Sequence, residues 1–291
     1  MLINHIIAGI KVVKNNQQLI LIAFLFKLSL SFLLLIPLQG LVSDALSHRP
    51  AATKLLSQWD LTPIIDFAFT NLQALENYAY IILIGVIIAF MLHLFLSGGF
   101  FRTLVLSELE ESERFGAERF FGWCGTYFPA FVKIAFLSAI FYLAMTILFI
   151  ILSSLGMHVF LGESDSETVR FFIMLAQAAM FSLLLLFVNM CTIYIKIVTV
   201  TREPRSILSI LIESFRFLRG NIGKAIALYL LLTFGLLFII GIYLILHRFI
   251  VILPITWSIL LLFFLQQVLS LARSCYRLAG YASHINLYIL N

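Results

Sequence analysis

The chain contains, at Ile207–Lys224, the stretch ILSILIESFRFLRGNIGK. Wound as a helix, this stretch gathers apolar side chains on one arc: Ile207, Leu208, Ile210, Leu211, Phe215 and Leu218. The opposite arc is polar and holds Ser206, Ser209, Glu213 and Arg216. Such a division is typical of a helix that lies in a membrane surface. Because Asn221-Ile222-Gly223 then precedes the apolar run Ala225–Leu246, the stretch predicts a surface helix, a polar elbow and a spanning helix.

The composition of the whole chain indicates an integral membrane protein. Of its 291 residues, 62% are hydrophobic and 11% are charged, whereas a soluble domain carries about 25% charged residues. Apolar runs of this length favour helices, because the strands of a membrane barrel would be short and alternating. The net charge of +5 suits an anionic leaflet better than nucleic acid, because the chain has no arginine-rich tract.

The apolar runs predict an all-α fold in which one polytopic membrane domain, residues 1–291, crosses the bilayer six times. The predicted spans are at about 19–38, 79–101, 130–155, 169–200, 225–246 and 250–271. Met1–Asn16 is a further amphipathic segment, and Phe120–Pro129 is a weaker elbow before the third span. The architecture is therefore predicted to be three hairpins, each preceded by a cytoplasmic amphipathic surface helix.

Three connecting segments carry predictions of their own. The long connection Gln39–Tyr78 is expected to form short helices on the outer surface, with Trp59 at the depth of the headgroups. Thr103–Phe121 is acidic and predicts an exposed helix and a turn. A tight turn is expected at His247-Arg248, and the tail Ala272–Asn291 is expected to be a last amphipathic segment.

The distribution of lysine and arginine predicts that both termini are cytoplasmic. Eleven such residues flank the inner ends of the predicted spans: Lys11, Lys14, Arg102, Arg114, Arg119, Arg202, Arg205, Arg216, Arg219, Arg273 and Arg277. Four flank the outer ends: Arg49, Lys54, Arg170 and Arg248. Short loops rich in these residues stay inside the cell, which predicts a multi-pass protein of a bacterial inner membrane with this orientation.

An internal repeat is visible when Gly9–Asn16 is set beside Ser214–Asn221. Lys11 then aligns with Arg216, Lys14 with Arg219, and Asn16 with Asn221, and each copy is followed by a span. Arg119–Tyr127 is a fainter third copy that keeps the aromatic and glycine residues but not the second base. The competing interpretation is chance, because any interfacial helix collects basic residues.

The segment SFRFLRGNIGKAIALYLLL, the six spans and the closing Leu271–Gly280 resemble a family of six-helix bacterial inner-membrane proteins. That family is similar to the membrane domain attached to some glycerophosphoryl diester phosphodiesterases. The resemblance implies a helical membrane fold and, for members that lack the enzyme domain, mostly an unassigned role. The phosphodiesterase barrel has no counterpart in this sequence.

Polar residues in the cytoplasmic halves of the spans are the candidate binding site. Gln266, Ser270, Arg273 and Arg277 lie within about 40° of one another on a helix. Asn189, Thr192 and Lys196 share a face of the fourth span, and Lys27 lies inside the first. Converging, these side chains would form a basic vestibule, and we expect Lys27, Lys196, Gln266, Ser270, Arg273 and Arg277 to bind an anionic lipid headgroup. The alternative is ordinary hydrogen bonding between helices, with Lys27 extending toward the inner surface.

No pattern in the sequence indicates a catalytic, metal or cofactor site. The chain lacks the HExxH, CxxC, phosphate-loop and nucleophile-elbow motifs, and its three cysteines share no metal-ligand spacing. The first hypothesis is a non-enzymatic membrane protein that contacts anionic inner-leaflet lipids or a membrane-protein partner. A transporter or flippase-like carrier of an amphipathic small molecule is the alternative, and a lipid-acting membrane enzyme is the third.

Overall fold

The computed structural model describes residues 2–46, 69, 72–109, 116–161, 167–202 and 206–291. Within these residues the chain forms seven α-helices and no strand: α1 (Leu2–Asn15), α2 (Gln17–Leu46), α3 (Leu72–Glu108), α4 (Ala117–Leu161), α5 (Glu167–Thr201), α6 (Ile207–Ile250) and α7 (Ile255–Ile289). The predicted connection around Trp59 lies outside the described residues.

The helices α2 to α7 each contain a stretch long and apolar enough to cross a membrane, so the chain is an all-α, multi-pass membrane protein. They are 30 to 45 residues long, whereas crossing the hydrocarbon core takes about 20. Much of each helix therefore extends beyond the length that one crossing requires. The turn between α6 and α7 is at Val251–Pro254 rather than at His247-Arg248, because Pro254 lacks the N–H that a continuing helix needs.

The described chain divides into two compact units. The first unit comprises Met1–Ile20 and Leu94–Asn291, and the second comprises Leu21–His93. In the second unit, the Tyr78 hydroxyl donates a hydrogen bond to the Leu34 carbonyl at 3.3 Å. Gly85 lies so close to Leu34 that an added Cβ would come within 2.7 Å of its side chain. These two contacts join α2 to α3.

The core of the first unit is built from the C-terminal ends of α3, α5 and α7. The Phe101 ring of α3 packs on Tyr281 of α7 at a centroid distance of 4.8 Å. A guanidinium N–H of Arg102 donates to the Val200 carbonyl at 3.2 Å, and Tyr194 is hydrogen-bonded to His284 at 2.9 Å. Each pair of ends is therefore joined by at least one ring contact or hydrogen bond.

The N-terminal segments of α1, α4 and α6 pack on this core. Gly9 of α1 packs on Ser283 of α7, and Phe120 and Cys124 of α4 pack on Gly99 of α3. At the start of α6, the Phe217 ring lies between Tyr194, at 5.3 Å, and Tyr288, at 4.9 Å. The glycines at two of these contacts allow the helices to approach closely, because an added Cβ would lie under 3.0 Å from the neighbouring helix.

The prediction that Thr103–Phe121 is exposed is wrong at its start, because Thr103, Leu104 and Val105 continue α3 and are buried. The tail Ala272–Asn291 forms the last part of α7, which runs without interruption to Ile289. It buries residues such as Ala282 and Ile285 in the shared core.

The predicted elbow after the amphipathic segment of α6 is present as a local break. Asn221 has φ −128° and ψ 20°, which is not helical, although hydrogen bonding continues α6 on both sides. The same kind of break separates α1 from α2 at Asn16, whose N–H donates to the Val13 carbonyl at 3.0 Å. Asparagine favours such positions because its side chain competes for local backbone groups.

The remaining lengths of α4 to α7 expose large apolar side chains. Examples on the four helices are Phe136, Phe172, Phe238 and Phe263. Contacts between neighbours are sparse there: Phe149 of α4 packs on Phe181 of α5 at 4.7 Å, and Gln177 donates to the Ser153 carbonyl at 3.3 Å. Hydrocarbon chains of a bilayer are the surroundings that such apolar surfaces suit.

Candidate functional site

Lys196 is a basic residue within the described packing of the first unit. It lies on α5 between the buried residues Ile195 and Ile197, and its own side chain is partly buried. Its ammonium nitrogen is 5.7 Å from the centre of the Phe131 ring on α4. A cation over an aromatic face is stabilised by the ring quadrupole, but the attraction does not neutralise the charge.

A second base, Arg277 of α7, lies near Lys196. The two side chains are close enough to interact as like charges. Arg277 is also within electrostatic range of Tyr229 and Tyr281. Helices α5, α6 and α7 thus bring two cations and two phenols together, and we call Lys196, Arg277, Tyr229 and Tyr281 the basic cluster.

Hydrogen bonds between helices lie next to the basic cluster. The Asn189 amide of α5 donates to the Tyr229 hydroxyl at 2.6 Å. The hydroxyls of Ser138 on α4 and Thr192 on α5 are 3.1 Å apart. Because Asn189, Thr192 and Lys196 lie on one face of α5, as the sequence predicts, the polar groups of that face are joined to α4 and α6.

The basic cluster has no acidic partner among the described side chains. The Arg202–Glu213 ion pair, at 2.6 Å, involves neither Lys196 nor Arg277. Like charges without a carboxylate partner repel each other, and here the Lys196 side chain is partly buried whereas that of Arg277 is exposed. An anion bound between Lys196 and Arg277 would remove that repulsion.

The other predicted site residues occupy different surroundings. Gln266, Ser270 and Arg273 share the α7 face of Arg277, and the side chains of Gln266 and Arg273 are exposed. The Ser270 carbonyl accepts the hydroxyl of Ser274 at 2.8 Å. Lys27 belongs to the second unit, where its carbonyl accepts the Ser31 hydroxyl at 2.9 Å. The structure therefore brings Lys196 and Arg277 together and places Lys27 in a separate unit.

Two members of the basic cluster, Tyr229 and Tyr281, were not predicted from the sequence. Tyr229 lies in an apolar segment where no local spacing marks it, whereas Tyr281 follows Arg277 by four residues and therefore shares its helix face. Their partner Arg277 is far away in sequence from Tyr229, and only helix packing brings the two side chains together. A weak signal existed, since tyrosine within a span usually has a partner for its hydroxyl.

A second polar group joins α1, α3 and α7. His5 Nδ1 is hydrogen-bonded to the Asn286 side-chain oxygen, and the Asn286 amide donates to Glu108. His5 and Asn286 are buried. Nearby, the Asn16 amide donates to the Ser107 hydroxyl at 3.0 Å. These bonds fix the N-terminal helix to the C-terminal ends of two other helices.

Within the described ranges, no group of three or more His, Cys, Asp or Glu side chains could hold a metal ion. Comparison with known proteins finds no matching family model, no similar curated protein and no similar solved structure.

Proposed function

We propose that the protein is a non-enzymatic inner-membrane protein of bacterial type that binds an anionic lipid headgroup at the basic cluster. The observation that carries this proposal is the placement of Lys196 between the buried Ile195 and Ile197 and over the Phe131 ring, with no described carboxylate bonded to it. An ionisable residue in a membrane helix is costly unless it is paired. A phosphate group can accept bidentate hydrogen bonds from a guanidinium and a charge-assisted bond from an ammonium.

The wider vestibule adds residues that a headgroup could use. Arg273 lies one turn before Arg277 on the same face of α7, and Gln266 and Ser270 continue that face. Lys27, on the first span, stays a proposed ligand of the same headgroup. The inner leaflet supplies anionic lipid, and each base near it contributes about 1 kcal/mol.

The finer architecture is part of the same proposal. Helices α4 and α5 pack together, as do α5 and α6 and also α6 and α7, so that consecutive helices are neighbours as the proposed hairpins require. The break at Asn221 supports a surface segment before the fifth span. With both termini on the cytoplasmic side, the basic cluster lies at the inner end of its helices. The internal repeat and the resemblance to the six-helix family related to phosphodiesterase membrane domains belong to this proposal as well.

Lipid retention tests the proposed headgroup site. A Lys196→Gln, Arg277→Gln double variant should lose bound anionic lipid in native mass spectrometry of the purified protein. Two bases at about 1 kcal/mol each correspond to a loss on the order of 30-fold in affinity. The matched control is Arg170→Gln with Arg248→Gln, which removes the same net charge elsewhere. If both double variants retain as much anionic lipid as the parent, no headgroup is held at the cluster.

The alternative function, a carrier of an amphipathic molecule, is favoured by the polar face of α5. Asn189, Thr192 and Lys196 could contact a transported molecule one after another as it moves along α5. However, Asn189 and Thr192 already bond to Tyr229 and Ser138, which favours a static site over a path. Reconstituted protein should therefore not accelerate the transfer of fluorescent anionic lipid between leaflets, and rapid transfer would select the carrier.

A further inference from the structure

Both amphipathic segments of the chain bury one narrow face in the first unit. In α1 the buried positions are His5, Gly9 and Val13. In α6 they are Ile210, Ser214 and Leu218. Each set is spaced by four residues, so each forms a single stripe along its helix. The apolar arcs predicted from the sequence are therefore only partly available to a membrane, because protein already covers Val13, Ile210 and Leu218.

The face opposite each buried stripe is apolar and exposed. In α1 it consists of Ile3, Ile7 and Ile10, and in α6 of Leu208, Ile212 and Phe215. These six side chains are 45% to 67% exposed. Large apolar residues aligned on one face of a helix mark a surface for a partner or a membrane. We call the two sets the α1 stripe and the α6 stripe.

The two segments correspond position by position when α1 is shifted by 205 residues. His5, Gly9 and Val13 then match the buried positions of α6, and Ile3, Ile7 and Ile10 match the exposed ones. The shift also places Asn16, where α1 ends, on Asn221, where α6 is not helical. Chance accumulation of bases does not produce a matching order of buried residues, exposed residues and helix breaks.

Basic residues border both stripes. At 100° per residue, Lys14 lies in line with the α1 stripe and Lys11 lies beside it; Arg219 and Arg216 take these places in α6. The carboxylate of the α6 segment, Glu213, is bonded to Arg202 instead of facing this side. Apolar residues bordered by lysine and arginine fit the boundary between headgroups and acyl chains of an anionic leaflet.

We infer that the α1 and α6 stripes dock on the same anionic membrane surface, so that two equivalent contacts seat the first unit on the leaflet. This inference rests on the proposed function only in placing these segments at the inner surface. It adds which residues enter the lipid and which enter the protein. It also makes Asn16 and Asn221 the points where each chain segment turns from the surface into the bilayer.

Depth measurements with spin labels test the inference. Single cysteines at Ile7 and Ile212 report on the stripes, in a Cys275→Ser background whose other cysteines, Cys124 and Cys191, are buried. Asn4 and Ser209 are matched controls, because they correspond under the same shift and lie about 60° or more from the stripes. The protein is reconstituted into phosphatidylethanolamine–phosphatidylglycerol vesicles.

Labels at Ile7 and Ile212 should collide several-fold more with oxygen, relative to a water-soluble nickel chelate, than labels at Asn4 and Ser209. Equal ratios at stripe and control positions would overturn the inference. Shielding of both stripe labels from both reagents would show that a second copy or another protein surface covers them, and would also overturn it. If the label of only one stripe lies within the membrane, the two stripes do not dock on the same surface.

Two further depth measurements test the preference for anionic lipid and distinguish this inference from the proposed headgroup site. Replacing phosphatidylglycerol with phosphatidylcholine should make both stripe labels shallower, and unchanged depth would refute the anionic preference. The depths should persist in the Lys196→Gln, Arg277→Gln variant, because the stripes do not use the basic cluster. A failure of the lipid-retention test would thus leave the depth result standing, and the reverse also holds.

Discussion

Gly9 of α1 lies directly against the backbone of Ser283 in α7, so that an added Cβ would be 2.8 Å from the Ser283 nitrogen. The same Cβ would be 2.6 Å from the Ala279 carbonyl oxygen. Backbone atoms of a helix cannot move aside as a flexible side chain can. The N-terminal helix is therefore held at a distance from α7 that only glycine permits.

Gly9→Ala should destabilise the protein, although alanine is worth about 1 kcal/mol over glycine in a helix interior. Separation of the two backbones costs about 1–3 kcal/mol, as overpacking does in other cores. Gly122→Ala is the matched control, since Gly122 is in a helix with no atom within 4 Å of an added Cβ. Thermal unfolding in detergent should give a lower midpoint for Gly9→Ala than for Gly122→Ala, and the reverse order would contradict the close packing.

Tyr194→Phe should also lower stability, because it removes the hydroxyl bonded to His284 at 2.9 Å. Both residues are buried, and a buried polar group without its partner costs about 1–3 kcal/mol. Tyr243→Phe is the control: Tyr243 also lies near a histidine, with a ring distance of 5.9 Å to His247. The measurement is again the unfolding midpoint. Equal midpoints for the two variants would mean that the Tyr194–His284 bond adds no stability.

The Arg202–Glu213 ion pair should contribute little, despite its 2.6 Å distance. The side chains are 52% and 22% exposed, and such pairs contribute about 0.2–1 kcal/mol because water competes for both charges. A double-mutant cycle with Arg202→Gln and Glu213→Gln should give a coupling energy within that range. Coupling well above it would indicate that the pair is shielded, with the Tyr288 hydroxyl, 3.4 Å from Glu213, as the nearest contributor.

Labelling in intact cells tests the proposed orientation. A cysteine at Ser164 should react with a membrane-impermeant reagent, and one at Ser112 should react only after lysis, because lysine and arginine favour the inner side. Both positions lie outside the described residues, and the Cys275→Ser background suits this test as well. Labelling of Ser112 in intact cells would reverse the topology.

Part of the candidate site could be predicted from the sequence and part could not. The helical period places Gln266, Ser270, Arg273 and Arg277 on one face of α7, because α7 is an uninterrupted helix. The period carries no information on which helix lies opposite, so it could not pair Arg277 with Lys196 or with Tyr229. The grouping of Lys27 with these residues stays a prediction.

The sequence by itself determined the number of membrane helices, their approximate limits and the break at Asn221, because apolar length and local backbone preferences are properties of neighbouring residues. Only the tertiary structure decided which residues of each apolar arc are buried against protein and which stay exposed. Val13 and Leu218 face protein, whereas Ile7 and Ile212 do not. The same applies to Thr103 of α3, which is buried although its segment is charged. Burial depends on helices distant along the chain, and a membrane protein uses apolar residues on faces toward protein and toward lipid alike.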